Sequence, residues 1–141
     1  MLEKEACTLI PLRFCESPIE KILYLCLWEK IKDHCRRNPN ITLFPQHEFT
    51  LGDNDFRADF FMYNDDRTVK VIIECDGHDF HEKTKEQAQN DKRRDRLFDR
   101  HGYNVLRFAG REIYSDPFRC AKEIWERVGL IYKEPRLASR G

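Results

Sequence analysis

The stretch that most constrains this chain is Val69 to Glu82, V-K-V-I-I-E-C-D-G-H-D-F-H-E. Val69, Val71, Ile72 and Ile73 are β-branched and apolar, the composition of a strand buried in a sheet. The run ends in Glu74 and Asp76. Side chains alternate across a strand with period two, so these two carboxylates share a face. Like charges at that spacing repel unless a metal ion or a basic side chain lies between them. Asp76-Gly77 then turns the chain, and His78 and His81 follow at once. A core strand that delivers two acids, a turn and two imidazoles to one end reads as a site.

A chain of 141 residues supports one domain with a single core. Charged residues make up 35% and no apolar run approaches a membrane span, so the reading is a soluble protein without a membrane partner. The start, M-L-E-K-E-A-C-T, is acidic where a signal peptide is basic, which predicts a cytoplasmic protein. The six cysteines are scattered with no C-x-x-C pair and read as reduced thiols. Cys75, His78 and His81 lack the further cysteines of a tetrahedral zinc site, so zinc is set aside. A formal net charge of zero neither demands nor excludes a polyanionic partner.

Residues 1–16 read as a lead-in, with one extended piece at Thr8–Leu12. Residues 17–130 form the domain, and 131–141 read as a disordered tail. Ser17-Pro18-Ile19-Glu20 is a helix start, with serine at N-cap, proline at N1 and glutamate at N3. Apolar residues at helical spacing carry that helix to about Arg37. Ile41–Leu51 reads as a strand, bent or at an edge because of Pro45. Gly52-Asp53 turns it into a second strand, Phe56–Tyr63, and a further turn leads to Val69–Asp76, completing an antiparallel meander. On the second strand Phe56, Ala58, Phe60 and Met62 are predicted on one face, with Arg57, Asp59, Phe61 and Tyr63 on the other. A polar helix follows from Lys83 to about His101, with Gly102 as its stop. Tyr103–Phe108 returns as a strand able to pair in parallel through a right-handed crossover. A last helix starts at Asp116-Pro117 and ends at Gly129. The predicted class is α/β, an αβββαβα core with a mixed sheet flanked by helices.

This order, with an acid on the second strand and E-x-D on the third, resembles the PD-(D/E)XK nuclease superfamily, the restriction-endonuclease-like fold. The set R-A-D-F-F, V-I-I-E-C-D-G-H-x-x-H, Asp91-x-x-Arg94 and G-Y-N-V-L-R-F is more narrowly similar to a bacterial domain of unknown function. That domain is related to the very-short-patch-repair mismatch endonuclease. The resemblance spans about residues 17–128 and implies a DNA endonuclease or nickase using Mg²⁺, with Mn²⁺ as substitute, in repair or foreign-DNA processing. Two departures stand out: Asp76 occupies the position where the superfamily usually has lysine, and Ala58 that of a proline.

The resemblance assigns Asp59, Glu74, the backbone carbonyl of Cys75 and Asp76 to the metal. His78 or His81 becomes the general base, and Lys83 or Lys85 the replacement cation. Glu20 is drawn towards the metal, although a capping box explains a glutamate at that position equally well. Gln46 matches a glutamine common in the family. Asp91 and Arg94 are expected to form a structural pair at i, i+3 on the helix after the site. The competing reading ties Asp59 and Glu74 to Arg57 or Arg94 as ordinary salt bridges. From Lys83 to Arg100 seven bases face four acids, a net of +3, which makes this helix the expected phosphate contact. The alternative function is a nuclease-fold module that has lost catalysis and binds nucleic acid or assembles with others. No helix-turn-helix, zinc finger or motor motif is present, so targeting to DNA is assigned to a protein partner or a homodimer.

Overall fold

The computed structural model describes residues 12–37, 40–76 and 83–133. The expected order of elements is found, with one addition. Helix α1 (Pro18–Arg37) leads into strands β1 (Ile41–Leu51), β2 (Asn54–Asn64) and β3 (Lys70–Asp76). Helix α2 (Lys85–Arg100), strand β4 (Asn104–Ala109), a short α3 (Gly110–Ser115) and α4 (Pro117–Lys133) complete it. The sheet order is β1-β2-β3-β4. The first three strands form the antiparallel meander, and β4 joins β3 in parallel, with Glu74 opposite Arg107. The Thr8–Leu12 piece lies outside the described residues except for Leu12, which begins a helical turn at 12–14.

Each face of the sheet carries its own core. On one, Leu23, Tyr24, Leu27 and Ile31 of α1 and Ala121, Ile124 and Val128 of α4 cover Phe60, Met62, Val71 and Ile73. On the other, Phe98 of α2 packs with Phe49, Ala58, Phe61 and Ile72. Phe98 is buried among the rings of Phe49, Phe56 and Tyr103, with centroids 5.5, 5.3 and 5.6 Å away. It is the one fully buried side chain of a helix that is otherwise polar. Phe98→Ala should therefore cost about 3–5 kcal/mol, seen as a lower urea midpoint with the slope of the transition unchanged.

The predicted face assignment on β2 fails midway. Phe60 and Met62 lie in the α1/α4 core, whereas Ala58 and Phe56 lie with Phe61 and Tyr63 on the α2 side. On β1 the same change occurs: Ile41 and Leu43 face α1, Phe49 and Leu51 face α2. The cause sits at Gln46, whose φ of 53° is left-handed and breaks the period-two alternation. Both strands change phase at the same level, so their register holds, Pro45 opposite Phe60 and His47 opposite Ala58. The bend expected at Pro45 is therefore real but falls one residue later, on an edge strand.

Other boundaries move for local reasons. Thr84, not Lys83, caps α2 through a reciprocal box with Gln87, at 3.1 and 3.0 Å. Gly102 ends that helix as expected, with φ 85°. Gly129 does not end α4, which continues to Lys133 because Ile131 still packs into the core. The first residues of the predicted tail are thus helical. The described cysteines Cys15, Cys26, Cys75 and Cys120 are free thiols, in line with the reduced reading. Among the described residues no helix is long and apolar enough to cross a membrane.

Candidate active site

The pairing of β2 with β3 runs from Tyr63 opposite Lys70 to Phe60 opposite Ile73, and stops there. One further step of that register brings Asp59 opposite Glu74. Instead of a backbone bond at this level, Asp59 Oδ2 accepts from the Cys75 N–H at 2.7 Å. Its other oxygen, Oδ1, is approached by Gln46 Nε2 at 3.5 Å, and the same amide nitrogen donates to Glu20 Oε1 at 2.6 Å. Glu20 is buried, and its second oxygen accepts from the Ser17 hydroxyl at 2.7 Å. The Glu20 carboxylate thus holds the Ser17 hydroxyl at the start of α1 and is linked through Gln46 to the acid on β2. The left-handed turn at Gln46 supports this bridge, because it falls where β1 crosses the level of Asp59.

Glu74 is buried, and its carboxyl is pushed up to about 8, first by burial and further by the charge and hydrogen bond of Asp59. Arg94 opposes this rise. Its Nη2 donates to Glu74 Oε1 at 2.5 Å and to the Arg57 carbonyl at 2.8 Å. The guanidinium lies 5.5 Å from the Phe56 ring centroid and 5.6 Å from that of Phe98, and its buried Nε has no hydrogen-bond partner. The ordinary salt-bridge reading is thus half realised: Arg94 takes one oxygen of Glu74, while Arg57 pairs with Glu16 at 3.3 Å. Arg94→Ala should remove the opposing charge and raise the Glu74 carboxyl further. It should also leave the Arg57 carbonyl without this donor, at a cost of about 1–3 kcal/mol in urea unfolding.

Asp76 stands in a separate network. Lys83 Nζ donates to Asp76 Oδ2 at 2.9 Å and to Asp91 Oδ2 at 2.7 Å. Arg107 forms a two-pronged contact with Asp95 at 2.9 and 2.7 Å and lies 3.6 Å from Asp76. The expected pair of Asp91 with Arg94 is corrected by these contacts. Asp91 turns to Lys83 and Arg94 to Glu74, partners that α2 meets at the end of β3. Lys83, one of the two candidate cations, is held by two carboxylates; Lys85 is exposed. His78 and His81 lie outside the described residues.

Among the described residues no three or more His, Cys, Asp or Glu side chains gather into a metal-holding group. The donor set is the pair Asp59–Glu74 with the neighbouring carbonyl of Cys75. These are oxygen donors of the kind Mg²⁺ takes, with water filling the remaining positions. Burial first, and the neighbouring Asp59 carboxyl after it, disfavour the charged form of Glu74, and a divalent cation between the two would offset both. The residues thus fit a hard divalent ion. A surface hollow of about 490 Å³ lies elsewhere, along the β1–β2 hairpin at Glu48, Phe49 and Arg57, and none of these carboxylates lines it.

Sequence reasoning missed Arg107. The available signal was its place in Y-N-V-L-R-F: on a strand parallel to β3, an outward arginine falls beside Glu74 or Asp76 according to register. A family model, REase_MTES_1575, describing a restriction-endonuclease-like family, matches residues 45–128. This is more than half of the chain and includes β2, β3, α2 and β4. No curated protein and no solved structure matches.

Proposed function

The chain belongs to a restriction-endonuclease-like family, and from that premise we propose that it is a metal-dependent DNA endonuclease or nickase. The observation that carries the reading is the meeting of Asp59 and Glu74 at the end of the β2–β3 ladder, with Glu74 raised to about 8. Asp59, Glu74 and the Cys75 carbonyl would hold Mg²⁺, or Mn²⁺ in its place. Once bound there, the ion supplies Lewis-acid polarisation of a phosphate oxygen and a water of lowered pKa. Glu20 and Gln46 position Asp59, and Arg94 positions Glu74. Lys83, anchored by Asp76 and Asp91, supplies the positive charge that the usual motif lysine would bring towards a phosphate. Asp76 thereby acts through Lys83. His78 or His81 is the base proposed for the attacking water.

The narrower likeness to the domain related to the mismatch endonuclease supports DNA as substrate, in repair or foreign-DNA processing. The lack of a helix-turn-helix, zinc finger or motor motif in the sequence is what assigns targeting to a protein partner or a homodimer. A second reading, an inactive nucleic-acid-binding or assembly module, is favoured by one observation: Arg94 already occupies one oxygen of Glu74. Plasmid nicking with Mg²⁺ separates the two. Activity lost in both Asp59→Ala and Glu74→Gln supports the endonuclease; a wild-type protein as inert as both variants supports the module.

A further inference from the structure

The charges of α2 are sorted by face. Asp91 and Asp95 point towards the sheet and are paired with Lys83 and Arg107. Lys85, Lys92, Arg93, Arg96 and Arg100 are all exposed. At 100° per residue these five fall within about 100° of arc, centred opposite the Asp91–Arg94–Phe98 face. None of the five forms an ion pair or side-chain hydrogen bond among the described residues. Exposed bases elsewhere are mixed: Lys21 and Arg127 form no ion pair among the described residues, but they stand singly, and others are paired. Lys32 pairs with Glu29 on α1, and on α4 Arg119 and Lys122 approach Glu123 and Glu126. Only Glu86 and Asp99 dilute the α2 stripe, leaving it +3 (five bases less two acids) on a chain whose formal net charge is zero. From Lys85 to Arg100 it runs about 22 Å. Successive phosphates of one DNA strand advance about 3.4 Å along the axis.

We infer that the outer face of α2 is a second nucleic-acid contact, a stripe that follows a phosphate backbone from the side of the helix facing away from the carboxylates. It rests on the proposed function only for the choice of DNA as the polyanion; the stripe itself is independent of the metal site. A row of arginines and lysines with a net positive charge neutralises phosphates and releases counterions, and it reads no base sequence. The segregation on α2 supplies locally what the neutral chain lacks overall.

Fluorescence anisotropy with a labelled 20-base-pair duplex in EDTA tests this, since no cleavage enters the measurement. Arg93→Gln/Arg96→Gln is compared with Arg119→Gln/Lys122→Gln, which removes the same charge from α4. The α2 pair should weaken binding about tenfold or more near 100 mM salt and flatten the slope of log K against log salt by roughly two. The α4 pair should leave both nearly unchanged. The inference is overturned by equal effects of the two pairs, by no duplex binding at about 50 mM salt, or by phosphatidylserine vesicles binding as tightly as DNA. A failed nicking assay alongside the expected anisotropy result would count against the metal site alone.

Discussion

Asp59→Ala and Glu74→Gln should each reduce Mg²⁺-dependent nicking of supercoiled plasmid by about a thousandfold or more, the loss expected when several kcal/mol of transition-state stabilisation goes. The two acids meet where the β2–β3 ladder stops, so neither substitution leaves a pair of carboxylates. Lys83→Ala should lose less, about a hundredfold, because it removes a positive charge near the phosphate and spares the donors. Time courses of relaxed and linear product, with Mn²⁺ in parallel, give the readout. If Asp59→Ala or Glu74→Gln nicks at the wild-type rate, the ion is not held by this pair and the endonuclease reading falls.

The second large effect needs no substrate. Glu74 moves from an ordinary value of 4.5 to about 8 on folding. Between those values the folded protein holds a proton that the unfolded chain has released, so stability falls as pH rises through the window. Relative to high pH, this contribution is fully present below about 4.5 and gone above about 8. Its size is on the order of a few kcal/mol. Glu74→Gln removes the titrating group while keeping its shape. Metal-free melting curves should therefore show the variant overtaking the wild type towards pH 8, with the gap closing towards pH 5. Saturating Mg²⁺ competes with the proton and should raise the wild-type Tm more at pH 8 than at pH 6, with no such shift in Glu74→Gln. The comparison cancels the histidines, among them His47, which burial lowers. A gap that does not change between pH 5 and 8.5, or a Mg²⁺ shift retained by Glu74→Gln, contradicts the account.

Much of this arrangement was legible in the chain because it is written locally. Ser17-Pro18 fixed the start of α1, the run Val69–Ile73 fixed a central strand, and β1 has the bounds its alternation predicted. The convergence of Asp59 and Glu74 followed from placing two acids on neighbouring antiparallel strands. What escaped was non-local. The phase change at Gln46 has no glycine to announce it; Pro45 signalled a bend but not which residue would turn left-handed. Helical spacing assigns Arg94 to Asp91, yet Glu74 on another element claims it. Arg107 acquires its place only through the register of β4 against β3. Gly129 reads as a stop when composition alone is weighed, and Ile131 beyond it overrides that preference with buried area.

The hydrogen bond from Cys75 N–H to Asp59 makes the β2 acid a terminator of the sheet as well as a ligand candidate. A backbone donor that would otherwise find a neighbouring strand is retired by the side chain proposed to hold the metal. Removing the side chain at position 59 therefore disturbs the end of the ladder together with the donor set, whereas Asp59→Asn keeps an oxygen able to accept from Cys75 N–H. Asp59→Ala reports on both at once, and Asp59→Asn is where the two can be told apart.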